Sequence, residues 1–115
     1  MKDFMLLFIG TNYADLGLSP EQMQQRMGNW FGWQQQMEQA GVHKSGHALH
    51  PEATYVSGPD RVVTDLAATE AKELIGGYYV VQAEDLAGAM KIAEGYPDYD
   101  LGGKVEIREV MIFNR

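Results

Sequence analysis

Two short runs of this chain are apolar on both faces of a strand, and nothing else in the sequence constrains the fold as tightly. Phe4-Met5-Leu6-Leu7-Phe8-Ile9 and Tyr78-Tyr79-Val80-Val81 leave no charged position at which a two-residue alternation could turn toward water. A strand of that kind needs neighbours on both edges and cover on both faces, so it belongs in the middle of a sheet. Two further segments read as mixed strands. In residues 42–49, alternation puts His43, Ser45, His47 and Leu49 on one face and Val42, Lys44, Gly46 and Ala48 on the other. In residues 104–113, Val105 and Ile107 alternate at first with Glu106 and Arg108. Mixed strands suit sheet edges.

The helices are marked by their ends. Ser19-Pro20-Glu21-Gln22 is a start signal: Ser19 can cap, Pro20 loses nothing at the first helical position, and Gln22 can complete a capping box. The spacing predicts a helix over 20–40, stopped by Gly41. Its apolar stripe is Met23, Met27, Trp30, Phe31 and Met37, interrupted by Gln34, with Trp33 on the flank and free to face a pocket or an interface. A second helix is expected over 84–94, with two leading carboxylates, a stripe of Leu86, Ala89, Met90 and Ala93, and Gly95 and Pro97 to end it. Between the helices, residues 54–57 and 61–64 flank Gly58-Pro59-Asp60 as a hairpin, and 65–75 reads as a loop with some helical character.

The order predicts one α+β domain over residues 1–115, ferredoxin-like β-α-β-β-α-β with an inserted hairpin, its first and third main strands central. Right-handed crossovers put both helices on one face. The other face then carries large apolar residues with nothing over them, which soluble monomers rarely tolerate. The inserted hairpin could cover part of it; a second copy related by a two-fold axis is the simplest cover, so a homodimer is expected.

Composition excludes several functions. The 115 residues contain no cysteine, which removes disulfides, thiol nucleophiles and thiolate metal sites. The net charge of −7 comes with no basic cluster, so a nucleic-acid partner is not expected. No run approaches a membrane span, the first apolar run lacks a leader's cleavage site, and a cytoplasmic protein is expected.

The stretch from Asp65 to Tyr79 resembles the signature loop of the YCII-related family in its DGPF-domain branch. That branch reads Asp-Gly-Pro-Phe, then Ala-Glu-Thr-Lys-Glu, two residues, and Gly-Gly-Phe-Tyr. Asp65, Glu70, Lys72, Glu73, Gly76 and Gly77 match without a gap, while Leu66-Ala67-Ala68 replaces the Gly-Pro-Phe. Met5-Leu6-Leu7, Ser19-Pro20-Glu21, Ala40-Gly41-Val42 and the segment from Gly103 to Arg108 extend the likeness over nearly the whole chain. The resemblance implies a dimeric α/β barrel of ferredoxin-like protomers and no particular reaction. A compact branch of the family carries a His/Asp pair with its histidine on the first helix. Residues 20–40 here contain no histidine, so that pair is not carried over.

His43, His47 and His50 fall within eight residues. On one strand face His43 and His47 would stand ~13 Å apart, too far for one ion, and neither a metal nor a cofactor is expected. His47 is the candidate general base, because an imidazole titrates near neutral pH; the plainer reading is a polar edge-strand histidine. Asp65 could orient it, or serve only a turn. Trp33, Glu70 and Lys72 are the candidate ligand contacts, Glu70 and Lys72 being equally suited to a solvated charge cluster. The expected site lies between the second strand and the 65–77 loop, near the protomer interface. Two functions stay open: an enzyme using acid–base chemistry on a small molecule, or a non-catalytic ligand-binding or regulatory module.

Overall fold

The structure is a computed structural model that describes residues 1–10, 13–66 and 74–114. Its elements are β1 (Lys2–Gly10), a short 3-10 turn (Tyr13–Asp15), α1 (Pro20–Gln39), β2 (His43–Ala48), β3 (Ala53–Ser57), β4 (Val62–Leu66), β5 (Leu74–Ala83), α2 (Leu86–Ala93), a second 3-10 turn (Tyr99–Leu101) and β6 (Lys104–Glu109). Four strands form an antiparallel sheet in the order β2-β5-β1-β6, and β3 and β4 pair separately as a hairpin. The two strands that are apolar on both faces are the central ones, as burial requires. This α+β arrangement is compatible with a ferredoxin-like fold.

Phe4, Leu6 and Phe8 of β1 point to one face, where they meet Val81 and Ala83 of β5, Trp33 and Met37 of α1, and Ala89 of α2. Both helices therefore cover the same face. Leu6 and Val81 are completely buried, one from each central strand. The opposite face carries Met5 and Leu7 beside their partners Val80 and Tyr78, flanked by Glu106 and Arg108 on β6. Across this face Lys44 Nζ donates to Asp3 Oδ2 at 3.0 Å, tying the β2 edge to β1.

α1 begins as its sequence predicts. Gln22 N–H donates to Ser19 Oγ at 3.1 Å, and Ser19 N–H donates to Gln22 Oε1 at 2.9 Å. α2 begins two residues later than its carboxylates suggest, because Asp85 is extended and acts as the cap, accepting from Gly88 N–H at 2.9 Å. The packed line on α1 also differs from the predicted stripe. Trp33 and Met37 are buried, Trp30 is half-buried, and Met27 and Phe31 are exposed. Only the second half of α1 sits tightly on the sheet.

Two irregularities set the site. β2 bulges between His43 and Ser45 against β5, so His43 pairs with Val81, on the helix side, while His47 pairs with Tyr78, on the open side. The expectation that the two histidines share a face fails for that reason: a bulge inserts one residue and inverts the alternation beyond it. β1 and β5 also shift register, Phe8 facing Gly77 and Ile9 facing Ile75, with Gly76 as the extra residue.

Gly46 is required by close approach. A Cβ there would lie 2.7 Å from Tyr78 O and against the Tyr79 ring. Gly46→Ala should therefore cost about 1–3 kcal/mol, the range for overpacking, read as a lower urea midpoint at unchanged slope.

Candidate functional site

Phe8 stands where the helices and the sheet diverge. Its ring lies 4.9 Å from Trp30, 5.7 Å from Trp33, 5.0 Å from Tyr79 and 5.5 Å from Tyr96, stacked on Tyr96 and edge-on to the other three. Beyond them, between α1 and the sheet, lies a cavity of about 460 Å³. Met27, Trp30, Phe31 and Gln34 line it from α1, Phe8 and Tyr79 from the central strands, and His43 and residues 46–49 from the β2 side.

Polar groups enter this wall from the connections. Tyr13, on the turn after β1, donates its phenol proton to Asp98, on the connection after α2. Trp30 Nε1–H donates to Tyr13 Oη at 2.9 Å and, more weakly, to Asp98 Oδ2 at 3.3 Å. Asp98 is 7% exposed. Its Oδ1 accepts no hydrogen bond and lies 3.6 Å from Arg26 Nη1. Arg26 is committed elsewhere, donating to both oxygens of Asp100 at 2.7 and 2.6 Å and to Pro97 O at 3.0 Å. Those bonds hold the Asp100 carboxyl below its ordinary range. At the β2 side, Tyr79 Oη–H donates to Gln34 Oε1 at 3.2 Å. His43 packs edge-on to Tyr79 at 4.9 Å, its Nε2 buried without a partner.

The phenols are hard to ionise. Burial, then the hydrogen bond to Asp98, raises Tyr13 far above its usual range. Burial, then the charge of Asp98, pushes Tyr96 up to about 12, and burial raises Tyr79.

The predicted site residues are scattered. His47 Nδ1 is hydrogen-bonded to Tyr78 Oη at 2.8 Å on the open side of the sheet, and His47 is also among the residues that line the cavity. Asp65 lies in β4, not in a loop or turn, and accepts from Thr54 Oγ1 at 2.8 Å across the hairpin. It does not line the cavity, and the structure does not bring it to His47. Trp33 is core: it is buried, its Nε1–H donates to Ile92 O at 3.2 Å, and Gly95 packs flat against the indole. Trp30, one turn earlier, takes the wall position. Glu70 and Lys72 lie outside the described residues. Among the described residues no three His, Asp or Glu side chains converge as metal ligands.

Tyr13 and Asp98 were not singled out by sequence. The signal for Asp98 was the segment Tyr96-Pro97-Asp98-Tyr99-Asp100, where two acids alternate with aromatics just past a helix end; Tyr13 had no such signal. Gln34 had a signal that was read the other way: its break in the stripe marks a polar group facing the cavity.

Two packed layers, an antiparallel sheet under two helices with an aromatic cavity between them, define the class of this protein. The YCII-related domain matches residues 4–114, and the chain belongs to that family. A search of curated proteins gives no match.

Folding stability should be insensitive to these phenols below pH ~10, because folded and unfolded chains both hold the protons there. Above it the unfolded chain gives up protons that Tyr13, Tyr79 and Tyr96 retain, so stability falls as pH rises toward about 12. A phenolate absorbance titration at 295 nm should show a late group that ionises together with loss of near-UV dichroism. Tyrosines that all ionise near pH 10 in an intact fold would contradict the burial.

Proposed function

We propose that the protein binds a small, largely apolar molecule in the cavity between α1 and the sheet. The observation that carries this reading is an aromatic-walled space of about 460 Å³ into which only a few polar groups reach. Ligand sites run from roughly 300 to 1,000 Å³ and combine this kind of lining with a few fixed polar atoms. Leu49, Pro51 and Leu74 extend its apolar lining beyond the sheet.

Trp30 makes this testable. Titration with 1-naphthol should change the intrinsic fluorescence saturably, at one site per chain. Trp30→Phe should remove most of the response and leave the emission of buried Trp33. Ala48→Phe, in the lining, should weaken binding at least about fivefold with the fold intact. A linear, non-saturating response that Ala48→Phe leaves alone would sink the reading.

A second reading, acid–base catalysis in the same cavity, is favoured by one observation: His43 has an unpartnered ring nitrogen in the cavity wall. The base would then be His43 rather than His47. For any substrate that is found, His43→Gln should lower kcat at least ~100-fold, the usual size of a general-base contribution, with KM little changed. A full rate in His43→Gln would exclude the catalytic version.

We also infer a homodimer built on the open sheet face, as in a dimeric α/β barrel. Met5, Leu7, Tyr78 and Val80 support it, since an apolar stripe two strands wide lies there without cover from α1 or α2. Exposed apolar groups also lie on the hairpin, at Tyr55, Val56, Val62 and Val63, and past β6, at Met111, Ile112 and Phe113. Sedimentation should give a dimer at micromolar concentration, and Val80→Glu should shift it to monomer. A monomeric wild-type chain would overturn this.

A further inference from the structure

The charges around the cavity are as specific as its rings. Apart from the histidines, Asp98 is the one side chain that carries a charge at neutral pH among the described residues of the wall. Among the described residues, the cation beside Asp98 is Arg26, which is outside the lining and directs its donors to Asp100 and Pro97. Its Nη1 stands 3.6 Å from Asp98 Oδ1 without a hydrogen bond, so one guanidinium serves two carboxylates. The Asp98 end of the cavity therefore keeps negative character. Burial strengthens that field, because little water is present to screen it.

The rings act in the same sense. An aromatic face carries partial negative charge and attracts a cation, an indole most strongly. Trp30 lies 5.5 Å from Tyr96 and 6.1 Å from Tyr79, at interplanar angles of 82° and 86°. Trp30 thus stands at a steep angle to both, and all three rings border the one cavity. Trp30 is also held in place, since its Nε1–H is fixed on Tyr13 and Asp98. An anion would meet a carboxylate and would find no lysine or arginine among the described lining residues, only His43 and His47. A neutral molecule would gain only from apolar contact.

We propose that the cavity is selective for an organic cation, a small amine or quaternary ammonium. Its charged head lies toward Trp30 and the Asp98 end, and its apolar body runs along Met27, Phe31 and Leu49. This rests on the reading that the cavity is a ligand site, and the test separates the two.

Three phenols of nearly equal shape carry different charge: 3-(trimethylammonio)phenol is a cation, 3-tert-butylphenol is its neutral carbon isostere, and 3-hydroxybenzenesulfonate is an anion. Binding to the full chain at pH 7 is measured by calorimetry and by the Trp30 signal. The cation should bind at least about tenfold more tightly than the neutral isostere, and the anion should not bind. Asp98→Asn should bring the cation's affinity down to that of the isostere and leave the isostere's own affinity in place. The wild-type comparison stands even where Asp98→Asn does not fold. A neutral isostere that equals or exceeds the cation overturns the charge selectivity and leaves the cavity as a ligand site. Saturable binding of the anion alone also overturns it. Failure of all three to bind removes the ligand site itself.

Discussion

The packing of Phe8 is the interaction on which the rest of this structure depends. Phe8 comes from the central strand β1, is 5% exposed, and touches rings from α1, β5 and the connection after α2. On one side it is core, continuous with Leu6 and Val81. On the other it is the floor of the cavity. A single side chain thus couples the stability of the sheet to the shape of the site. Edge-on aromatic contacts of this kind contribute about 0.5–1.5 kcal/mol per pair beyond area burial, so the cluster is rigid as well as apolar. That rigidity explains how a space of about 460 Å³ persists beside a packed core instead of collapsing into it.

The cavity is also held open by polar strapping. The Tyr13 turn is tied to the connection after α2 by the bond from its phenol to Asp98. Asp98 in turn receives Trp30 and faces Arg26. One buried carboxylate therefore ties the connection after β1, helix α1 and the connection after α2 into one unit. Burying a carboxylate is costly unless its lone pairs are met. Here Oδ2 accepts two hydrogen bonds, and Oδ1 accepts none but faces the Arg26 guanidinium at 3.6 Å.

The sheet was legible in the sequence because strand character is written in short range. Phe4 to Ile9 and Tyr78 to Val81 could only be central, and Ser19-Pro20-Gln22 could only open a helix. The site was less legible, for three physical reasons. Which side of an amphipathic helix packs is decided by its partners, so Trp33 became core and Trp30 wall, against a stripe read from periodicity alone. The face of His47 was decided by a bulge at residues 43–45, and a bulge leaves no mark in a two-residue alternation. The third reason is distance along the chain: Tyr13 and Asp98 are 85 residues apart, and no local pattern reports such a pair.

The two faces of the sheet carry different tasks, and the alternation of the central strands is what separates them. In β1, Phe4, Leu6 and Phe8 supply the core and the cavity floor, while Met5 and Leu7 supply the open face. In β5, Tyr79 borders the cavity, while Tyr78 faces away and holds His47 there. Adjacent residues of one strand thus serve opposite surfaces, so a change on either surface is felt across the thickness of a single strand. The proposed dimer face and the proposed ligand cavity share no side chain on β1 or β5, yet they share the backbone at Gly77. There a Cβ would stand 2.7 Å from His47 O. Any partner pressed against the open face presses on the strand whose other side carries Tyr79. Coupling between assembly and ligand binding would need no dedicated pathway in such a sheet, because one rigid layer only a strand thick is already in contact with both.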